Sequence, residues 1–273
     1  MSQTVLLLGS TGTNGKLVLQ GLVERGCSVR AIARNAASLG DYASHNAVTV
    51  IEGSFLDMSP EVCVCVCVYV CVLCVGVSLV RAFLICTTMQ VFRSHVEGCS
   101  AVVSCLGHNL NVRGIWRDPA LCTQATKMVC AAAESVKRPV KFVLHSSAGC
   151  DNPDGGDPKR GLGERLVISL LRFLIPPHPD NEGAANFLGT RAPGLVEWCV
   201  VRPDDLIHGE VSEYRLSETL LNGLFDAKTT TRRNVADFMC RLVTDEQCWR
   251  EWRGKMPMIV DVEQKKAGAK KGQ

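Results

Sequence analysis

The sequence predicts an α/β fold: a doubly wound parallel sheet with helices on both faces. Three observations carry this. An apolar run at the N-terminus passes through a glycine-rich turn straight into a helical pattern. Strand-length apolar runs then alternate with helix-length amphipathic ones. No internal repeat or second glycine signature follows, which predicts one domain over residues 1–262, interrupted at 62–90 and followed by a disordered basic tail, 263–273.

The first strand is Thr4–Leu8. Behind it stands Gly9-Ser10-Thr11-Gly12-Thr13-Asn14-Gly15, with three glycines spaced G-x-x-G-x-x-G. Between a strand and a helix, that spacing is a dinucleotide-binding signature. Gly9 permits the tight turn, Gly12 admits a pyrophosphate, and Gly15 lets helix and strand pack closely. Thr11, Thr13 and Asn14 complete the loop, and the N–H groups that open the helix would hold the phosphates. Asn14–Arg25 reads as that helix, with Gly26 as its stop.

The second strand, Ser28–Arg34, ends on a cation. An acid at this tip would bind a ribose 2′-hydroxyl, whereas an arginine accommodates a 2′-phosphate. Arg34 therefore favours NADP over NAD, and the next carboxylate in sequence is Asp41. Ala47–Gly53 is the third strand. Asp57 follows it, placed either beside the adenine or as a helix cap.

Residues 62–80 break the rhythm. They carry no charge and alternate Val with Cys over much of their length. Length alone would suggest a membrane span, alternation a strand, and the cysteines a metal cluster. A further explanation lies in the genetic code: a GT dinucleotide repeat encodes Cys-Val alternation, because TGT is Cys and GTG is Val. Removing 62 to about 90 joins Asp57-Met58-Ser59-Pro60-Glu61 to Val91-Phe92-Arg93. The joined segment reads as a helix capped by Ser59 and ended by Gly98. The stretch is therefore expected to be a retained intron.

The pattern then resumes. Ser100–Ser104 is strand four, and Leu106 and Gly107 in the loop behind it border the cofactor. Thr123–Val136 is a helix. Val140–His145 is strand five, followed by Ser146 and Ser147. Asp151–Lys159 is a loop, and Leu162–Ile175 an apolar helix stopped by Pro176-Pro177. Val196–Val201 is strand six, ending in Arg202-Pro203. Asn234 is expected to cap a helix through Leu242, and Pro257–Asp261 to form a last short strand.

Composition sets limits. The 273 residues are 47% hydrophobic, enough for a sizeable core, and the formal net charge of +3 predicts no nucleic-acid surface. Of 15 cysteines, six fall in the Cys-Val region and nine are scattered, which fits free thiols better than a disulfide framework. The chain runs directly into a strand, so no signal peptide and a cytoplasmic location are expected. Outside the Cys-Val region no His/Cys spacing predicts a metal site.

Four motifs resemble the atypical branch of the short-chain dehydrogenase/reductase superfamily, which holds NmrA-like and NAD(P)H-binding proteins and biliverdin/flavin reductases. They are the glycine loop, Val29–Arg34, Val143-Leu144-His145-Ser146-Ser147-Ala148, and Val200-Val201-Arg202-Pro203. Asn234-Val235-Ala236-Asp237-Phe238 resembles a further marker. The resemblance implies a Rossmann fold and hydride transfer from NADP(H) to a small, flavin-like or quinone-like acceptor. One feature departs from it. Enzymatic members use a Tyr-x-x-x-Lys pair, but here Tyr42, Tyr69 and Tyr214 are followed four residues on by Asn46, Leu73 and Glu218. Alignment puts Pro177 and Asn181 where the pair would fall. Ser146, Ser147 and His178 are the remaining catalytic candidates: the hydroxyls as donors to a substrate oxygen, the imidazole as a general acid. The alternative is a non-catalytic NADP-binding redox sensor of NmrA-like type, with a protein partner. If 62–80 were genuine, membrane attachment would be a further reading.

Overall fold

The computed structural model describes residues 2–53, 90–108, 119–175, 177–223 and 225–262. Asp57, the Cys-Val stretch and the basic tail lie outside them. The strands are β1 (Thr4–Leu8), β2 (Ser28–Ala33), β3 (Val48–Glu52), β4 (Ala101–Ser104), β5 (Val140–His145), β6 (Val196–Pro203), β7 (Asp205–Ile207), β8 (Tyr214–Ser217), β9 (Thr229–Thr231) and β10 (Met258–Asp261). The helices are α1 (Thr13–Glu24), α2 (Leu121–Val136), α3 (Leu162–Leu174), α4 (Pro177–Arg191), α5 (Arg232–Thr244) and α6 (Glu246–Trp252). A 3₁₀ segment spans Ala36–Ser44, and residues 90–96 are helical.

The main sheet has eight strands in the order β3-β2-β1-β4-β5-β6-β10-β8. Every pairing is parallel except β10 with β8. The chain crosses from β3 over to β4 on the far side of β1. That reversal opens a crevice at the C-terminal ends of β1 and β4, where open α/β sheets bind ligands. The doubly wound sheet expected from the alternating runs is therefore present.

Continuous apolar runs such as Val5-Leu6-Leu7-Leu8 and Ala101-Val102-Val103 are fully buried because the sheet is covered on both faces. One face is packed by Val18 and Leu22 of α1, Phe238 and Leu242 of α5, and Trp249 of α6. The other is packed by Phe92, by Ala125 and Val129 of α2, and by Ala185 and Leu188 of α4. Each such large side chain contributes on the order of 1.5–3 kcal/mol.

Asn234 is not the cap of α5. Thr231 occupies that position, while Asn234 is buried inside the helix. Its amide donates to Asp261 Oδ1 at 2.7 Å and to Ser212 Oγ at 2.9 Å, and its Oδ1 accepts from the Ser212 N–H. The asparagine thus ties α5 to the last strand. Pro177 opens α4, as proline suits a first helical turn. His178 consequently sits in the first turn of that helix.

Candidate functional site

The glycine loop is built as its spacing requires. Gly9 has φ +74°, and a Cβ there would lie 2.6 Å from the Cys105 backbone. That puts the β1 turn directly against the β4 loop, which carries Leu106 and Gly107. A Cβ on Gly15 would lie 2.0 Å from the Gly9 carbonyl oxygen. Gly12 differs: its nearest neighbour would be Gly9 O at 3.5 Å, so its outer side is open. Gly12 is also the N-cap of α1, with no side-chain cap and no acid in the first turn. The first N–H groups of a helix have no partner within it, so this end is left for an anion.

Asn14 leads from the loop into the interior. Its Oδ1 accepts from Arg232 Nη1 at 2.9 Å, and its amide lies 2.7 Å from His145 Nε2. Because the oxygen faces the guanidinium, the NH₂ faces the ring, and His145 Nε2 accepts. Burial, then the Arg232 charge, pushes the His145 pKa down to about 4, which keeps the ring neutral. Arg232 Nε is buried without a hydrogen-bond partner. A cleft of about 490 Å³ opens beside this chain, lined by Thr11, Thr13, Lys16, Arg232 and Arg233 among others. Sequence reading missed Arg232, because it stands 218 residues from Asn14.

Arg34 is exposed just beyond the end of β2. Strand pairing sets Glu52 opposite Ala33, so a carboxylate does stand near this tip. It accepts from the Ala36 N–H at 2.9 Å.

Beyond β5 the two serines diverge. Ser146 is buried, and its hydroxyl points to Cys150 Sγ at 3.2 Å. Ser147 is partly exposed and lies beside His178: a Cβ built on Gly149 would sit 3.3 Å from Ser147 Oγ and 3.5 Å from His178 Cε1. His178 Nδ1 faces Glu182 Oε1 at 4.0 Å, one helical turn on. Glu182 is itself held in a two-pronged pair by Arg172 at 2.8 and 2.9 Å. The elements thus bring Ser147, His178 and Glu182 to one place, while Pro177 and Asn181 lie on the same first turns of α4.

Asp180 is buried, and its carboxylate accepts from the N–H groups of Cys122 and Thr123 at 2.7 and 2.9 Å. It caps α2 from a neighbouring helix. His108, Cys122 and Asp180 offer ligand atoms within 4.8 Å of one another. Each Asp180 oxygen accepts one N–H of the cap, His108 Nε2 stands 3.5 Å from Oδ2, and burial raises the Cys122 thiol pKa well above its ordinary value, assisted by the Asp180 charge.

Below the site, Arg202 is fully buried and binds Asp157 at 2.6 and 3.1 Å, together with the carbonyls of Met256, Cys150 and Glu218. Asp204 accepts from Asn222 and from the Lys228 N–H, which makes it structural.

A sequence profile described as NAD(P)H-binding matches residues 9–62 and 84–246. No curated protein matches. Among solved structures, the chain is similar to the oxidoreductase ylbE of Lactococcus lactis (16% identity, 96% of this chain and 92% of that one, TM-score 0.63). It is also similar to ChuY, described as an anaerobillin reductase, of Escherichia coli (16% identity, 97% and 100%, TM-score 0.61). A third is a Rossmann-fold NAD(P)-binding family protein of Shigella flexneri (16%, 97% and 98%, TM-score 0.54). Among the described residues, no helix is long and apolar enough to cross a membrane.

Proposed function

Because the chain belongs to the NAD(P)H-binding family, we propose that it is an NADP(H)-dependent oxidoreductase reducing a flavin-like or quinone-like acceptor without a Tyr-x-x-x-Lys pair. The observation that carries this reading is the approach of Ser147 and His178 to the same side of Gly149, in the loop that follows β5. The residues fit the cofactor. Gly12 leaves its outer side open, α1 presents an uncapped N-terminus, and Lys16 and Arg232 line the adjoining cleft. These groups, with Thr11 and Thr13, would hold the pyrophosphate. Arg34 would meet the 2′-phosphate, and Leu106 and Gly107 would border the nucleotide.

When bound, the nicotinamide supplies hydride. The acceptor gains negative charge as it is reduced and needs a proton. In this reading His178 would deliver that proton from its ring, and the Ser147 hydroxyl would hydrogen-bond the developing anion. Glu182, fixed by Arg172, stands 4.0 Å from His178 Nδ1, where its charge would favour the protonated ring.

The absence of the tyrosine–lysine pair favours a second reading, in which NADP occupancy reports redox state to a protein partner. One experiment separates the two. Purified protein is titrated with NADPH by cofactor fluorescence, and NADPH oxidation is then followed with flavins and quinones. Binding with turnover is expected, and His178→Gln should lower kcat roughly 10²-fold or more with Kd unchanged. Binding without turnover across the panel favours the sensor, and absence of binding defeats both readings.

The intron reading concerns the same gene. The family match omits 63–83, which supports treating that stretch as foreign to the domain, and it resumes at 84, somewhat before the junction read from the sequence. Sequencing the mature transcript tests this: a message that keeps the repeat overturns it.

A further inference from the structure

Helix α3 presents its apolar residues to solvent. Within it only Ile168 is buried, whereas Leu162, Leu166, Leu170 and Phe173 are 83, 73, 56 and 81% exposed. Their spacing of four, four and three keeps them on one stripe about 17 Å long. Leu174 is also exposed, and Phe225 adjoins the stripe at Gly163. A phenylalanine offers roughly 150–250 Å² and a leucine, from its transfer free energy, roughly 60–120 Å², so at their exposures these six present roughly 400–700 Å². That is at or above the ~300–600 Å² of the largest patch on a typical monomer, and it approaches the ~800 Å² each partner buries in a standard interface.

The energetics point the same way. An isolated helix of 13 residues is marginal in water, and helices in proteins are stabilised chiefly by burying an apolar face. The α3 face is directed away from its own core.

We propose that α3 is the two-fold interface of a homodimer, packed antiparallel against α3 of a second copy. The spacing of four, four and three keeps the stripe on one face of a straight helix, the face that packs against a neighbouring element. At its middle stands Ser169, small enough for close approach, with its hydroxyl already bonded to the Arg165 carbonyl at 2.8 Å. A two-fold contact places the same stripe on both partners, so no complementary surface elsewhere is needed. A membrane surface is the weaker occupant. Arg172 beside the stripe is neutralised by Glu182, and the chain's formal net charge of +3 gives little attraction to anionic lipid. The dimer would also steady the helix that carries Arg172, and hence Glu182 and His178; that consequence alone rests on the proposed function.

The test is sedimentation velocity of the full chain across about 1–50 µM. The wild type should sediment as a dimer. Leu166→Glu, at an exposed position, should raise the dimer dissociation constant at least 100-fold while leaving far-UV circular dichroism and NADPH binding unchanged. Ser169→Cys should form a cross-linked dimer on mild oxidation, above any formed by the wild type. A monomeric wild type, or a dimer that survives Leu166→Glu, overturns the proposal. So does a monomer that floats with phosphatidylcholine/phosphatidylserine vesicles, which would assign the stripe to a membrane.

Discussion

A methyl group on Gly15 would come within 2.0 Å of the Gly9 carbonyl oxygen, a backbone atom that cannot step aside. A methyl group on Gly12 would meet only that same oxygen, at 3.5 Å, and its backbone lies in an ordinary extended region at φ −71°. Two glycines three residues apart therefore do different work. Gly15→Ala should lower stability by several kcal/mol, on the order of overpacking at a rigid site. Gly12→Ala should keep its melting temperature within about 2 °C yet weaken NADPH binding tenfold or more, because the added methyl faces the open side of the loop. Equal stability loss in both variants would contradict this division. Arg34 is the second residue whose effect is separable. Charge-assisted hydrogen bonds contribute about 1.5–3 kcal/mol, so Arg34→Ala should raise the Kd for NADPH roughly 10- to 100-fold and leave NADH unaffected. A similar change for both nucleotides would remove the arginine from phosphate reading.

At the scale of elements, the loop after β5 is fastened by one buried pair. Burial alone would raise the Asp157 pKa, but the hydrogen bonds and charge of Arg202 outweigh it and hold the carboxyl below its usual range. Asp157 also accepts from the N–H groups of Asn152 and Leu220, so it joins the loop, β6 and the segment after β8. Asp157→Ala would leave a fully buried guanidinium without its counter-ion and should cost roughly 3–5 kcal/mol, read as a shift in the denaturant midpoint. A loss under 1 kcal/mol would show that the pair is replaceable. The sequence showed Arg202 only as a strand end and Asp157 only as a member of a polar loop, because 45 residues separate the two. What was legible was local: the glycine turn, the strand periods, and the prolines that stop α3, though not that Pro177 also opens α4. Contacts made across the fold were not. Asp180 capping α2 from α4, Arg232 reaching Asn14, and Asn234 serving β10 instead of its own helix end all depend on partners that no spacing rule connects. Helix α3 was located correctly, but its period could not say which side the apolar stripe would face.

At the scale of the molecule, the contact from Arg232 through Asn14 to His145 joins α5, α1 and β5, three elements distant in the chain. Its titration should therefore appear in global stability. Histidine ordinarily titrates near 6.5, whereas burial and the Arg232 charge push folded His145 down to about 4. Between those values the unfolded chain binds a proton that the folded chain refuses, so stability rises with pH across this window and is lost as pH falls from about 6.5 towards 4. Two and a half units correspond to roughly 3 kcal/mol for this one group. His95 is shifted downward as well, by burial and then by Arg30, so wild-type data alone do not isolate His145. Asp157, held below its ordinary value, adds a separate loss that begins only nearer pH 4. The measurement is the denaturation midpoint from pH 8 to pH 3.5 for the wild type and for His145→Asn, which cannot titrate. The difference between the two curves should shrink steadily from pH 6.5 to 4, as the histidine's advantage disappears. Parallel curves through that interval would show that the ring is free to protonate in the fold, and that the arginine, the asparagine and the histidine are not one electrostatic unit.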